Sequence, residues 1–248
     1  MLSSLIRHLF GHPATALATV IVSVAFAMAA TPAAAQATVS KNLAAGFSQL
    51  PKDSTLVILP VDVELFSLSA GGVAEPRADW TTAAVSHMGA ALGKQTGKLG
   101  LAVNLLNEKA ADEFGEQISL HAAVARSIAL HHSVGGVWAL PTKAGVLDWS
   151  FGDAMQPLQQ RVGARYGLFV WVRDSYASAE RKAAMVALAI LGVGLTGGSQ
   201  VGYASLVDLD SGRVLWFNRL ARSTGDLREA GAAAETIQAL LSGFPVVK

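Results

Sequence analysis

Gly192-Val193-Gly194-Leu195-Thr196-Gly197 spells G-x-G-x-x-G, the pattern that brings backbone amides against a pyrophosphate. That chemistry needs a strand before the glycines and a helix opening on them. Here the residues that follow, Ser199 to Leu209, read as strand, so flexible turn glycines are expected instead. Three histidines, His121, His131 and His132, follow Glu108, Glu113 and Glu116 on one expected helix. His121 and His132 would lie ~16 Å apart along it, too far for one metal ion. His131 and His132 diverge by about 100° around the axis. They are expected as helix-end histidines interacting with the dipole. For hydrolysis, no G-x-S-x-G elbow is present, and Gly197-Gly198-Ser199-Gln200 fails the spacing. Asp62, Glu64, Asp148 and Asp153 stand at element ends, where acid–base carboxylates often lie, but also where caps and loop charges lie. No catalytic residue, cofactor or metal is therefore expected. A hydrolase using Asp62 or Asp148 is the alternative, marked by polar groups converging on a pocket at the carboxyl ends of the Thr55 and Tyr166 strands. A closed apolar cavity beneath the Lys182–Leu195 segment would instead mark a small-ligand carrier.

Composition narrows the classes further. The chain has 248 residues, 52% hydrophobic and only 15% charged, against roughly 25% charged in an average soluble domain. It can build a core. Lys plus Arg is 19 and Asp plus Glu is 18, and the longest basic run is the pair Arg181-Lys182. No clustered basic face for nucleic acid is expected. The absence of cysteine excludes disulfides, thiolate catalysis and an amino-terminal lipid anchor on Cys. Met1 to about Ala37 reads as a signal peptide: Arg7 in a weakly basic start, an uncharged apolar run from Ala14 to Ala30, then Ala33-x-Ala35 and Ala35-x-Ala37 as cleavage sites. Export to the periplasm is the expected fate, with outer-membrane association as a further option. An uncleaved anchor is the alternative, although that run is shorter than the ~20 residues a span needs. Residues 38–248 read as one domain with an apolar insert at about 180–200.

The elements that must position these residues follow from pattern. Thr55-Leu56-Val57-Ile58-Leu59-Pro60-Val61-Asp62-Val63 is a near-continuous apolar run, expected as a central strand. Ser67 to Pro76 reads as a loop. Asp79 is expected to cap a helix over Trp80 to Gln95 whose core face is Trp80, Ala84, Met88, Ala91 and Leu92, ended by Gly97. Leu99 to Leu106 is a second strand. Glu108 to Ser133 is a helix bent at Gly115 and stopped by Gly135-Gly136, with Ile118, Ala122, Ala125, Ile128 and Ala129 facing inward. Asp153 caps a helix to about Arg165, and Tyr166 to Arg173 is the third strand. Tyr203–Leu209 and Arg213–Asn218 flank Asp210-Ser211-Gly212 as a hairpin. A last helix runs from Leu227 to about Leu241. The order predicts an α/β (α+β) fold: a mixed central sheet with helices on its faces, closed by a hairpin and a helix.

A buried strand (TLVILPVDV), a helix, a late strand (YGLFVWVRD), the hairpin ASLVDLDSGRVLWFNR and a closing helix resemble the envelope proteins grouped around CsgG, LpoB and the amino-terminal domain of TolB. The likeness spans roughly Thr55 to Phe244. It implies an anticodon-binding-like fold and a non-enzymatic envelope role through protein association, self-association or membrane insertion. Many such proteins are anchored through a Cys that this chain lacks.

The insert departs from every ordinary element. Lys182 to Leu195 (KAAMVALAILGVGL) is apolar or glycine almost throughout, too short to span a membrane. It reads first as a core helix, then as a surface for an envelope protein or a second copy, then as a membrane-surface contact. The candidate interaction residues are Met185, Leu188, Ile190, Leu191 and Leu195, with Tyr176 and Tyr203 flanking them.

Overall fold

A computed structural model of the protein describes residues 40–245 and 247. The leader and its cleavage site lie outside the described residues. Seven strands form one mixed sheet: β1 (Thr55–Ile58), β2 (Asp62–Leu68), β3 (Ala74–Pro76), β4 (Ala102–Leu105), β5 (Tyr166–Ala177), β6 (Gln200–Asp208) and β7 (Val214–Arg222). The helices are α1 (Ala78–Thr96), α2 (Glu108–Ala111), α3 (Gly115–Ile128), α4 (Gln156–Val162), α5 (Ala179–Ile190) and α6 (Ala230–Leu240).

β5 is the axis. Leu168, Val170 and Val172 enter one core, with Met88 and Leu92 of α1 and Ile237 and Leu240 of α6. Phe169 and Trp171 enter the other, with Ala125 and Ile128 of α3 and Leu158 of α4. A strand covered on both faces needs a continuous apolar run, which YGLFVWV supplies. The mixed α/β class with helices on the sheet faces is thus the observed one.

Along one edge β5 pairs in parallel first with β1 and then with β2; along the other it pairs antiparallel with β6. The apolar run Thr55–Val63 is therefore not one strand. It breaks at Leu59-Pro60-Val61, where Pro60 has no N–H to give a ladder. The outer edge forks at the break, with β4 parallel beside β1 and β3 antiparallel beside β2.

Other departures have equally local causes. The stretch expected as a loop turns tightly at Ser69–Gly72, where Gly72 adopts φ +85°, and returns as β3. Asp79 does not cap α1. It pairs with Arg77 at 3.0 Å, and this guanidinium holds its carboxyl below the usual range. Asp153 likewise caps nothing and accepts from the Gln156 amide at 3.2 Å. The long helix from Glu108 is divided by a 3-10 turn before Gly115 and widens into a π turn at Ala129–Val134. The hairpin is longer than its core pattern, and Asp208 Oδ1 accepts from Asp210 N and Ser211 N to shape the turn. Leu227 precedes the last helix, buried in the turn before it.

The apolar insert and the polar clusters that anchor it

α5 begins where β5 ends. The Ser178 hydroxyl accepts from Arg181 N at 3.2 Å, as a helix cap should. Arg181 is the buried residue of the helix. Its Nε donates to Thr196 O at 3.0 Å and its Nη1 to Ser69 O at 3.3 Å. One guanidinium thus joins the start of the insert, its end and the β2–β3 turn. The return path is bonded to β5: Ala177 N donates to Gly197 O at 2.7 Å and Ser175 N to Ser199 O at 3.1 Å.

Above this fixed base the helix stands open. Val186 is 67% exposed, Ile190 81%, Leu191 75% and Val193 47%. Ala183, Ala187 and Ala189 are exposed beside them. No Asp, Glu, Lys or Arg occurs between Lys182 and Asp208. A solvated helix turns its polar face outward; α5 turns an apolar one. The core-helix expectation is corrected accordingly, because a core helix would be covered on every side. Met185, Leu188 and Leu195 are half-buried, and Ile190 and Leu191 are exposed. Tyr203 cannot offer its ring to a partner: it is buried, stacked between Trp171 at 5.0 Å and Phe217 at 5.9 Å. Tyr176 serves the interior as well. Its hydroxyl donates to Asp174 Oδ2 at 2.6 Å and accepts from Leu227 N at 2.7 Å.

That tyrosine belongs to a buried network behind the base. Gln200 Nε2 and Ser175 N also donate to Asp174, at 2.6 and 2.8 Å. Arg222 Nε and the Thr236 hydroxyl donate to Gln200 Oε1 at 2.8 and 3.1 Å. Burial raises the Asp174 carboxyl above its usual range despite these donors. The network locks β5, β6, β7 and α6 together where the insert leaves the sheet.

A second buried pair was not legible in the sequence. His121 Nε2 and Ser205 Oγ are hydrogen-bonded at 2.9 Å, from α3 to the middle of β6. His121 lies mid-helix, away from the helix-end histidines, and stacks on Phe169 at 4.7 Å. The pair has the atoms of an acyl-transfer site, but Ser205 is 1% exposed and His121 3%, leaving no room for a substrate. Burial pushes the imidazole down to about 3. Its folded value lies below the ordinary 6.5, so the unfolded chain takes up the proton first. Stability is whole above pH ~6.5 and falls as the pH drops toward 3. Between pH 6.5 and 5 the loss is about 2 kcal/mol. Urea midpoints across that range should show this slope, and His121→Gln should flatten it.

Three of the four carboxylates singled out above are tied into ion pairs, and Asp153 accepts only from Gln156. Asp62 and Glu64 meet Arg173 at 2.7 and 3.3 Å, and Asp148 meets Lys143 at 3.2 Å. Gly192–Gly197 is preceded by α5 and followed by β6, the reverse of a dinucleotide turn. Among the described residues no group of three His, Cys, Asp or Glu side chains could hold a metal ion, and no helix is long and apolar enough to cross a membrane.

The fork in the sheet leaves a groove of about 710 Å³ at the carboxyl end of β1, between α1 and the turn after β4. Its lining is mostly apolar, with Leu59, Pro60, Val61, Val85 and Leu105 prominent, and Glu108 and Lys109 at its margin. It lacks the converging polar groups of an active site and is open rather than a closed cavity beneath the insert.

No protein-family model and no curated protein matches the chain. Among solved structures, a PelC dodecamer from Paraburkholderia phytofirmans is similar at 14% identity and TM-score 0.39, over 82% of this chain and 94% of that one. Lipoprotein GNA1162 from Neisseria meningitidis follows at 13% and 0.29, over 77% and 98%. The LpoB C-terminal domain from Salmonella enterica stands at 13% and 0.28, over 73% and 88%. At such distances the likenesses carry nothing about function.

Proposed function

We propose that this protein is a non-enzymatic, exported component of the cell envelope that works by protein association through the outward face of α5. The observation that carries the reading is an exposed helix face, apolar and free of charge beyond Lys182, on a rigidly bonded base. Fixing the base in advance removes ordering entropy from the binding step. The amino-terminal sequence pattern supports export, and the filling of the His121–Ser205 pair by its own neighbours supports a non-catalytic role.

Magnitudes define what the partner must supply. Covering Val186, Ile190 and Leu191 is worth on the order of 5 kcal/mol. Association costs about 4 kcal/mol or more before anything is gained. A flat surface touching only these side chains would hold them weakly, so the reading requires a concave apolar receptor.

The combined variant Val186→Ser, Ile190→Asp, Leu191→Ser tests the role. Its unfolding free energy should stay within about 1 kcal/mol of wild type, since each site is exposed. The native assembly extracted from cells should shrink on non-denaturing gels. A loss of more than about 2 kcal/mol would instead make α5 a packing element.

A further inference from the structure

We propose that the outer edge of β4 docks an extended segment of another protein, which adds to the sheet as a further strand with its apolar side chains beneath α1. The site is independent of α5. The backbone carries the inference. Leu106 N donates to Ile58 O at 2.9 Å, and Ile58 is in register with Leu105. A parallel ladder engages alternate residues of each strand. Asn104 and Leu106 therefore bond toward β1, and the N–H and C=O groups of Val103 and Leu105 point outward. β4 ends the strand order, and these outward groups meet no partner among the described residues. They recur at every second residue, as the donors and acceptors of an incoming strand do.

The sheet's other edges are guarded. β3 ends in Pro76, which has no N–H to offer. Half of β7 is covered by the lead-in: Ala44 N donates to Leu215 O at 2.9 Å and Phe217 N to Asn42 O at 3.0 Å. The other half carries Arg219 and Arg222. Charge and proline are common guards of an edge. Leu101 to Leu106 reads LAVNLL and has neither. The exposed side chains of α5 and of Leu130–Val146 are as apolar, but those segments offer no unpaired ladder.

The two sides of the edge define the strand that fits. On the α1 side Leu105 is 60% exposed, and the groove continues past it along Gly89 and Gly93. A Cβ on Gly89 would meet nothing within 4 Å, and one on Gly93 only Leu105 Cδ1 at 4.0 Å. A strand ~4.8 Å outside β4 lays alternate side chains over Leu105 and into this groove. On the opposite side a hollow of about 220 Å³ is lined by Asn104 and by Glu113 and Arg161, which pair at 3.4 Å. Side chains turned that way meet polar groups. The occupant is thus an extended segment that alternates apolar and polar residues, held by main-chain bonds and set in register by the groove. A helix has already spent its N–H and C=O groups and cannot answer the edge.

The test uses the full chain after removal of its leader. The probe is a synthetic peptide of about nine residues that alternates valine and threonine, with lysines at its ends for solubility. In the free protein, NMR should show the Val103 and Leu105 amides exchanging about tenfold or more faster than those of Asn104 and Leu106. Peptide at up to about 1 mM should slow exchange at Val103 and Leu105 about tenfold and leave Asn104 unchanged. An all-serine peptide, lacking the apolar face, should not bind. Val103→Pro removes an outward N–H and spares the bonds to β1; Leu105→Lys guards the edge with charge. Each should weaken peptide binding about tenfold or more, with circular dichroism melts that match wild type. Leu105→Lys changes only an exposed side chain and decides the matter if the proline disturbs the strand. Failure of the valine–threonine peptide to bind, equal binding of the all-serine peptide, or equal binding to Leu105→Lys overturns the proposal. Protection of Val103 and Leu105 that appears without peptide as protein concentration rises assigns the edge to a second copy and overturns it too.

Discussion

Gly198→Ala is expected to destabilise the folded chain by more than about 3 kcal/mol. Gly198 lies at φ +150°, a conformation that side chains rarely adopt, and a Cβ there would fall 1.9 Å from Ser175 O. The obstacle is backbone. It cannot rotate away, because Ser175 N and Ser199 O bond across the same place at 3.1 Å. The neighbouring Gly197→Ala is the control. Its Cβ would meet only Met185 Cε at 3.4 Å, the end of a flexible side chain, and should cost less than about 1 kcal/mol. Urea unfolding of the two variants side by side checks this. Equal stability would mean that the return path of the insert is not held against β5 in this way. The same substitution should also release α5 from its base, so association should weaken further than stability alone explains.

Asp174→Ala should cost on the order of 3 kcal/mol, since it removes the acceptor of the Tyr176 hydroxyl and the Gln200 amide in the interior, while Ser175 N keeps Ser199 O. Asp62→Ala, which loses an ion pair with the partly exposed Arg173, should cost ~1 kcal/mol or less. Chemical denaturation at pH 7 separates the two. The buried carboxyl also has a pH signature. Its folded value is raised, so the stabilisation of its protonated form is complete below the usual carboxylate range and is lost as pH rises through the folded value. His121 acts in the opposite direction over the window from 6.5 down to about 3. Comparison of the His121→Gln and Asp174→Asn pH profiles would resolve the opposing slopes.

The strands were legible wherever burial dictated composition. YGLFVWV announces a strand covered on both faces, and Asp210-Ser211-Gly212 announces the turn between β6 and β7. The division of Thr55–Val63 was not, although Pro60 marked it, because apolar runs of either kind look alike until a partner strand is known. The insert was visible as a composition, but its setting was not. Apolar residues all round a helix specify that cover is needed without specifying whether the same chain supplies it. His121 with Ser205, and Asp174 with Gln200 and Thr236, were invisible for a different reason. Each cluster joins residues distant in sequence, brought together by sheet pairing and helix docking.

The central claim is that the exposed face of α5 is covered in the cell by protein. The most direct measurement places a photoreactive amino acid at position 190 and, as a control, at Asp153 on a solvent-facing turn remote in sequence, and irradiates living cells. A discrete protein adduct is expected from position 190, with the same mapped partner peptide in repeated experiments, and none from position 153. A folded, exported protein that yields no adduct at position 190 would contradict it.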